Sequence, residues 1–225
     1  MNPPEYLRLQ LRLEGKEIFN GDRLRQVEIV PGEDMPLMII AQFADDKIVA
    51  YYDEALQSDL YRELAKRICD INFPRIDSLL DVLKVRNISF EIGHYKTYLF
   101  STHLAELITH DVCCISRQDP LIQAFGFGDF AERVYVVERD GKIASACVSV
   151  RENCRCAEAW VYTDPNYRKQ GFAQQAVGIW AGQMIKAAKI PFYSHAVENT
   201  ASANLARRLE LQPIFEEICI SYMNV

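Results

Sequence analysis

The chain has 225 residues, 49% hydrophobic and 25% charged, ordinary values for a globular protein with room for one large or two small domains. Its net charge of −6 and sequence pI near 5.3 argue against a general binder of nucleic acid or of anionic membranes. No run approaches the roughly 20 apolar residues needed to span a bilayer, and MNPPEYLRLQLRLEGKEIF lacks the apolar core of a signal peptide. The seven cysteines form no C-x-x-C pair and several lie in apolar runs, so reduced thiols and a cytoplasmic location are expected. Cys113-Cys114 and Cys154-Arg155-Cys156 are too closely spaced for the usual zinc pattern, and no metal is expected.

Leu7, Leu9, Leu11 and Leu13 alternate with polar residues, which predicts a half-buried strand ahead of breaks at Gly15 and Pro31-Gly32. Pro36–Phe43 and Ile48–Tyr52, on either side of Ala44-Asp45-Asp46-Lys47, predict a hairpin. Leu56, Leu60, Leu64 and Ile68 recur every four residues and predict a helix between Asp53 and Ile71. A second follows Pro74, with Ile76, Leu79, Leu80 and Leu83 on one face. Phe90–Phe100 reads as extended and aromatic, with His94, Tyr95 and Tyr98 either lining a pocket or forming an ordinary aromatic cluster. His103 and His110 carry no ligand spacing, and Asp111–Ser116 reads as a buried strand. The Gly- and Phe-containing stretch between Arg117 and Phe130 marks the expected domain change. An N-terminal α/β domain over 1–125 and a second domain over 126–225 are expected.

From Arg133 the pattern sharpens. Val134–Glu138 and Lys142–Val150 flank Arg139-Asp140-Gly141, a hairpin with an Asp-Gly turn, and Cys156–Thr163 follows as a third strand. Ala173, Ala176, Val177, Trp180, Met184 and Ala187 lie on one helix face. Phe192–Val197 is a buried strand, Asn199–Ser202 carries helix-capping types ahead of Leu205 and Leu209, and Ile214–Tyr222 closes as a strand. The order β-β-β-α-β-α-β predicts a mixed α/β (α+β) sheet covered by helices.

The stretch Ala157–Ala173, AEAWVYTDPNYRKQGFA, carries the chemistry. A strand runs into a basic, glycine-containing turn and then a helix N-terminus, whose free N–H groups and dipole favour an anion. Arg168 and Lys169 supply charge, Gly171 permits close backbone approach, and Ala173 is small. Neither GxxxxGK[ST] nor GxGxxG is present. However, R-x-x-G-x-A after V-x-T-x-P resembles the pyrophosphate loop of the GCN5-related N-acetyltransferases (GNAT). Asn199-Thr-Ala-Ser202 with Ala206–Leu211 is similar to that family's second signature, and the strand IPFYSHAV resembles the FR47-like branch. The resemblance covers residues 133–225.

The resemblance implies a GNAT acyl-CoA N-acyltransferase fold with an additional N-terminal α/β region that shapes the acceptor side. It implies an N-acetyltransferase passing an acetyl group from acetyl-CoA, its co-substrate, directly to a primary amine of a small molecule or peptide in a ternary complex. Val161, Tyr162 and Thr163 would lie along the pantetheine, with the backbone of Val161 and Thr163 pairing with it. Arg168, Lys169, Gln170, Gly171, Phe172 and Ala173 would cradle the pyrophosphate, while Asn199 and Ser202 would hold the arm or the phosphates. The last two inner strands would splay to admit the thioester. Two positions depart from the family: Ala206 stands where many members carry an acid Tyr, and Glu210 where a Gly often ends the helix.

Amide formation needs a neutral amine, hence a base, and a donor for the developing oxyanion. Glu158 is the candidate base, read against a structural carboxylate. Tyr193 and Ser194 are candidate replacements for the missing acid, and His195 reads as a core or hydrogen-bonded imidazole. Cys147 without a His-Asp partnership reads as a small buried residue rather than a nucleophile. An alternative is a non-catalytic acetyl-CoA-binding regulatory module, favoured by Ala206. A larger acyl group or an O-linked acceptor is also compatible with the loop. The expected partners are acetyl-CoA and an amine acceptor, with no nucleic acid and no membrane; a homodimer is allowed.

Overall fold

The computed structural model describes residues 1–101, 112–116, 122 and 133–223. His103, His110, Asp111 and most of the stretch 117–130, including the expected boundary at 125/126, lie outside the described residues. Contacts divide the chain into two compact units, Met1–Lys96 with Ile214–Val225, and Thr97–Pro213. This differs from a division into 1–125 and 126–225, because the closing strand pairs with a strand of the N-terminal region.

The first unit opens with a helix, α1 (Pro3–Leu13), where alternation predicts a strand. Its entry is fixed locally. Asn2 Oδ1 accepts from the Glu5 N–H at 3.0 Å, Glu5 Oε2 accepts from the Asn2 N–H at 2.8 Å, and prolines occupy the first helical positions. Leu7 and Leu11 lie one turn apart on one side, Leu9 and Leu13 on the other, and all four are buried. A helix buried on two opposite sides mimics a period of two.

Strands β1 (Lys16–Phe19) and β2 (Arg23–Gln26) form an antiparallel pair. Strands β3 (Met38–Phe43) and β4 (Ile48–Asp53) form the expected hairpin, with Asp46 at φ 61° in its turn. The expected helices are α2 (Ser58–Arg67) and α3 (Asp77–Val85). Leu56, Leu60, Leu64, Leu79 and Leu83 pack with Met38, Ile40 and Tyr52. The closing strand β11 (Gln212–Tyr222) runs antiparallel to β3, from Phe215 opposite Phe43 to Ile220 opposite Met38. Its Ile218 and Ile220 join the same core, which assigns residues 214–225 to this unit. Strand β5 (Phe90–Leu99) carries the chain from the first unit into the second.

In the second unit the strand order is β10-β9-β8-β7-β6: β6 (Val112–Ser116), β7 (Arg133–Arg139), β8 (Lys142–Glu152), β9 (Cys156–Thr163) and β10 (Ile190–Ala196). Asp140 and Gly141, at φ 53° and 70°, make the β7–β8 turn with two left-handed residues, as a two-residue Asp-Gly hairpin requires. Strands β6 to β9 are antiparallel neighbours. Helix α4 (Phe172–Lys186) crosses from β9 to the parallel strand β10, and α5 (Thr200–Arg208) follows. Ala176, Val177, Trp180, Ala181 and Met184 of α4 pack with Cys147, Ala157, Ala159 and Tyr193. The other sheet face buries Val134, Val136, Ile143, Ala146 and Val148 with Ile122. Among the described residues, strand β6 pairs with β7 alone and ends the strand order, and Cys113 and Cys114 are exposed rather than in the buried strand expected.

Candidate active site

The site begins where β9 and β10 part. Their parallel register holds at Ile190 with Cys156, Pro191 with Ala157 and Phe192 with Glu158, and goes no further. Beyond that point lie Ala159–Thr163 on one strand and Tyr193–Ala196 on the other. Strand β9 keeps its partner β8 on the far edge through Thr163 opposite Ser145. The Tyr162 carbonyl accepts from Ser145 Oγ at 2.9 Å, and the Asp164 N–H donates to the Ala144 carbonyl at 3.0 Å, so both residues turn their backbone toward β8. Alternation along a strand then turns the N–H and C=O of Val161 and Thr163 the other way, into the split. This is the edge an extended ligand arm would use as an added strand.

The split leads into the basic turn. Asp164 Oδ1 accepts from the Asn166 N–H at 2.8 Å and opens a single 3-10 turn over Pro165–Tyr167. The chain then passes Lys169 at φ 63° to Gly171, which caps α4 at φ 87°. A left-handed cap favours glycine, and a Cβ here would meet nothing nearer than Gln174 Oε1 at 3.9 Å. Among the described residues, the space beside this cap is therefore open to a Cβ. Arg168, Lys169 and Gln170 are exposed, Phe172 is buried and Ala173 is partly buried. Arg168 Nε donates to the Thr163 carbonyl at 3.2 Å, so one cation folds back over the mouth of the split. The Arg139 guanidinium, from the end of β7, stands 5.2 Å above the Phe172 ring and adds a third positive charge beside this turn.

Asn199 and Ser202 sit at the start of α5. Asn199 Oδ1 accepts from the Ser202 N–H at 3.1 Å, a helix cap. Capping uses the amide oxygen; the Nδ2 donors are the part of Asn199 suited to a ligand carbonyl.

Glu158 is 3% exposed and bonded to Arg151, whose Nε lies 2.9 Å and Nη2 2.6 Å from Oε2. A bulge between Ser149 and Arg151 in β8 shifts the register and brings Arg151 opposite Glu158. Glu158 is therefore held within an ion pair rather than standing as a lone carboxylate, and strand parity turns it away from the face that carries Ala157, Ala159 and Tyr193. Tyr193 is 2% exposed; burial pushes its phenol up to about 12, while Ser202 hydrogen-bonds to it. Ser194, on the opposite face of β10, shares a 3.0 Å hydrogen bond with Thr97 of β5. Cys147 is fully buried and burial pushes its thiol well up, which fits a packing role. Ala206 is 1% exposed in the core, with no polar group to offer.

The structure thus brings Val161, Thr163 and the 168–173 turn into one continuous line, with Tyr193 linked to Ser202. It separates Ser194 from Tyr193 by strand parity. The sequence reading missed Arg151, whose pairing depends on the bulge, Thr97 as the partner of Ser194, and Arg139. For Arg139, a cation next to the Asp-Gly turn was the available signal. Among the described residues, no group of three or more His, Cys, Asp or Glu is placed to hold a metal ion, and no helix is long and apolar enough to cross a membrane.

A mixed sheet with two inner parallel strands splayed ahead of a glycine-capped helix defines the architecture of an acyl-CoA N-acyltransferase. A family model described as GNAT acetyltransferase matches residues 44–216, and the chain belongs to that family. Solved structures of similar fold include a GNAT-family acetyltransferase from Novosphingobium aromaticivorans, with TM-score 0.51 and 15% identity, covering 60% of this chain and 66% of that one. A GCN5-related N-acetyltransferase-like protein from Streptococcus suis gives 0.50 at 16% identity, over 99% and 100% of the two chains. A GNAT-family acetyltransferase from Colwellia psychrerythraea gives 0.50 at 14%, over 87% and 84%. No curated protein matches the sequence significantly. Membership of the family supports a general acetyl-CoA-dependent acetyltransferase activity.

Proposed function

We propose that this protein is an N-acetyltransferase that passes an acetyl group directly from acetyl-CoA to a primary amine while both are bound. One observation carries the reading. The backbone of Val161 and Thr163 faces the split between β9 and β10, and that split runs straight into the glycine-capped turn 168–173. The pantetheine would add as a strand along Val161–Thr163, with Tyr162 behind it. The pyrophosphate would lie over Arg168–Ala173, where backbone N–H groups and three cations converge. Arg168 would exchange the Thr163 carbonyl for a phosphate oxygen, and Asn199 Nδ2 would donate to the arm.

The chemistry asks little of side chains. A backbone N–H at the head of the split, near Val161, stabilises the oxyanion. Tyr193 keeps its proton at neutral pH and hydrogen-bonds the departing sulfur. With a phenol at about 12 against roughly 8.5 for a thiol, it assists without becoming ionised. Ser194 faces the other side of β10, where it holds Thr97, and would position this strand rather than touch the departing sulfur. Glu158, within its ion pair, would fix the head of the split or draw on the amine's charge.

Two observations favour the non-catalytic acetyl-CoA-binding module as the second reading: the apolar Ala206 in the family's acid position, and the engagement of Glu158 by Arg151. The FR47-like branch, supported by the strand from Ile190, and a cytoplasmic location, supported by seven free cysteines, belong to the same proposal. So does an acceptor chosen by the N-terminal region. Thiol release from acetyl-CoA across a panel of primary amines, run beside thermal shift, separates the readings. Amine-dependent release supports the enzyme, stabilisation without release supports the module, and neither effect overturns both.

A further inference from the structure

His195 is an ionisable side chain beside the split that the chemistry above leaves unused. It lies on β10 three residues past Phe192, where pairing with β9 ends, and it is 7% exposed. Its Nδ1 is 2.8 Å from the Ala196 carbonyl. A carbonyl oxygen only accepts, so in the neutral ring Nδ1 carries the proton and Nε2 the lone pair. That lone pair faces the Tyr98 hydroxyl at 3.3 Å, long for a bond from O–H to N, with the two rings stacked 5.4 Å apart at 23°. Tyr193 presents its edge to the imidazole at 6.2 Å and reaches Ser202 with its phenol. A buried imidazole is thus held in one tautomer, its basic nitrogen directed at a hydroxyl on a partly exposed residue.

We infer that His195 Nε2 is the proton acceptor for the incoming amine, with the Tyr98 hydroxyl relaying the proton; this rests on the N-acetyltransferase reading. The ammonium gives one N–H proton to Tyr98 Oη while the Tyr98 O–H proton passes to Nε2. The amine nitrogen keeps the electron pair and the imidazole becomes imidazolium. The amine then forms the C–N bond at the thioester carbon, and the C–S bond breaks with its pair going to sulfur. The remaining surplus proton on nitrogen passes through solvent to the thiolate, and the imidazolium releases its proton to solvent.

Three features favour His195 over Glu158. Glu158 Oε2 is held twice by Arg151, whereas among the described residues Nε2 makes only a long contact. A neutral imidazole carries a lone pair on one nitrogen and an N–H on the other, so it can take up a proton where it meets the hydroxyl while staying anchored to the carbonyl. Among the described residues, the titratable groups placed around it are Tyr98 from β5, Tyr193 from β10 and, beyond Tyr193, Cys147 from β8. Burial holds the last two protonated at neutral pH, so neither competes for the proton.

The variant His195→Asn retains an N–H where Nδ1–H meets Ala196 and removes Nε2. With n-butylamine as the acceptor and saturating acetyl-CoA, kcat should fall about 100-fold. The gap from wild type should widen as pH rises, KM for acetyl-CoA should hold, and added imidazole should restore part of the rate. Tyr98→Phe, which keeps the stack, should lose a smaller factor. A loss equal at every pH, or no loss, would overturn the assignment. A second arm needs no turnover: histidine 15N resonances of the wild-type protein recorded with and without acetyl-CoA. An Nδ1–H tautomer at His195 and a shift of Nε2 on binding are expected. Acetyl-CoA binding that leaves Nε2 unmoved would sink the inference while sparing the transferase reading. Absence of any acetyl-CoA binding would remove that reading and this inference with it.

Discussion

Gly171→Glu, set against Gly171→Ala, isolates the electrostatic role of the turn. Both variants place a Cβ on a residue at φ 87°, at a cost of about 1–2 kcal/mol to the fold. Neither Cβ meets an obstacle, since the nearest atom is 3.9 Å away, so the strain is shared and cancels between them. What differs is one carboxylate in front of the α4 N-terminus. If a pyrophosphate lies there, two like charges about 5 Å apart at an effective dielectric near 20 repel by roughly 3 kcal/mol, equivalent to about a 100-fold loss of affinity. Calorimetric titration with acetyl-CoA near 0.1 M salt should show that gap, narrowing as salt rises. Gly171→Ala should bind within about tenfold of wild type. Equal affinity of the two variants would refute the placement of phosphate on this turn.

Asn199→Asp keeps the acceptor that caps Ser202 but loses Nδ2, so melting should hold while acetyl-CoA affinity falls; Asn199→Ala should lose about 1 kcal/mol of stability as well, measured by denaturant unfolding. Arg151→Met strands a buried carboxylate and should cost about 3–5 kcal/mol, whereas adding Glu158→Leu should recover most of it by the same assay. Glu158→Gln tests the carboxylate as base: an unchanged kcat and pH profile leaves it a structural partner. The Tyr193 phenol is raised to about 12 by burial, so the folded state holds its proton where the unfolded chain has lost it. Its contribution is therefore complete below about pH 10 and is lost as pH rises toward 12. Tyr193→Phe should show a shallower alkaline loss of stability in pH-dependent melting.

Local chemistry made the second unit readable. The Asp140-Gly141 turn, the glycine cap and the Asn199 cap each depend on residues within a few positions, and each forms where the sequence places it. Strand β11 also forms where expected, but its pairing with β3 joins residues about 170–180 apart, which no local pattern encodes. The same distance effect hid Thr97 beside Ser194 and Tyr98 beside His195, contacts across 97 positions. The Glu158 environment turned on one bulge in the neighbouring strand, a feature set by packing. At the N-terminus the information was present but outweighed: Asn2-Pro3-Pro4-Glu5 carries a helix start, while four alternating leucines carry the period of a strand. The helix wins because its caps are satisfied and both of its apolar sides are buried.

The central claim is that acetyl-CoA lies in the split between β9 and β10, with its phosphates on the turn before α4. A crystal structure with acetyl-CoA soaked in tests it most directly. The pantetheine amides should pair with the backbone of Val161 and Thr163, the pyrophosphate should lie within hydrogen-bond reach of residues 168–173, and the thioester should sit near the Glu158–Phe192 end of the split. Acetyl-CoA bound elsewhere, with β9 and β10 left empty, would contradict the account.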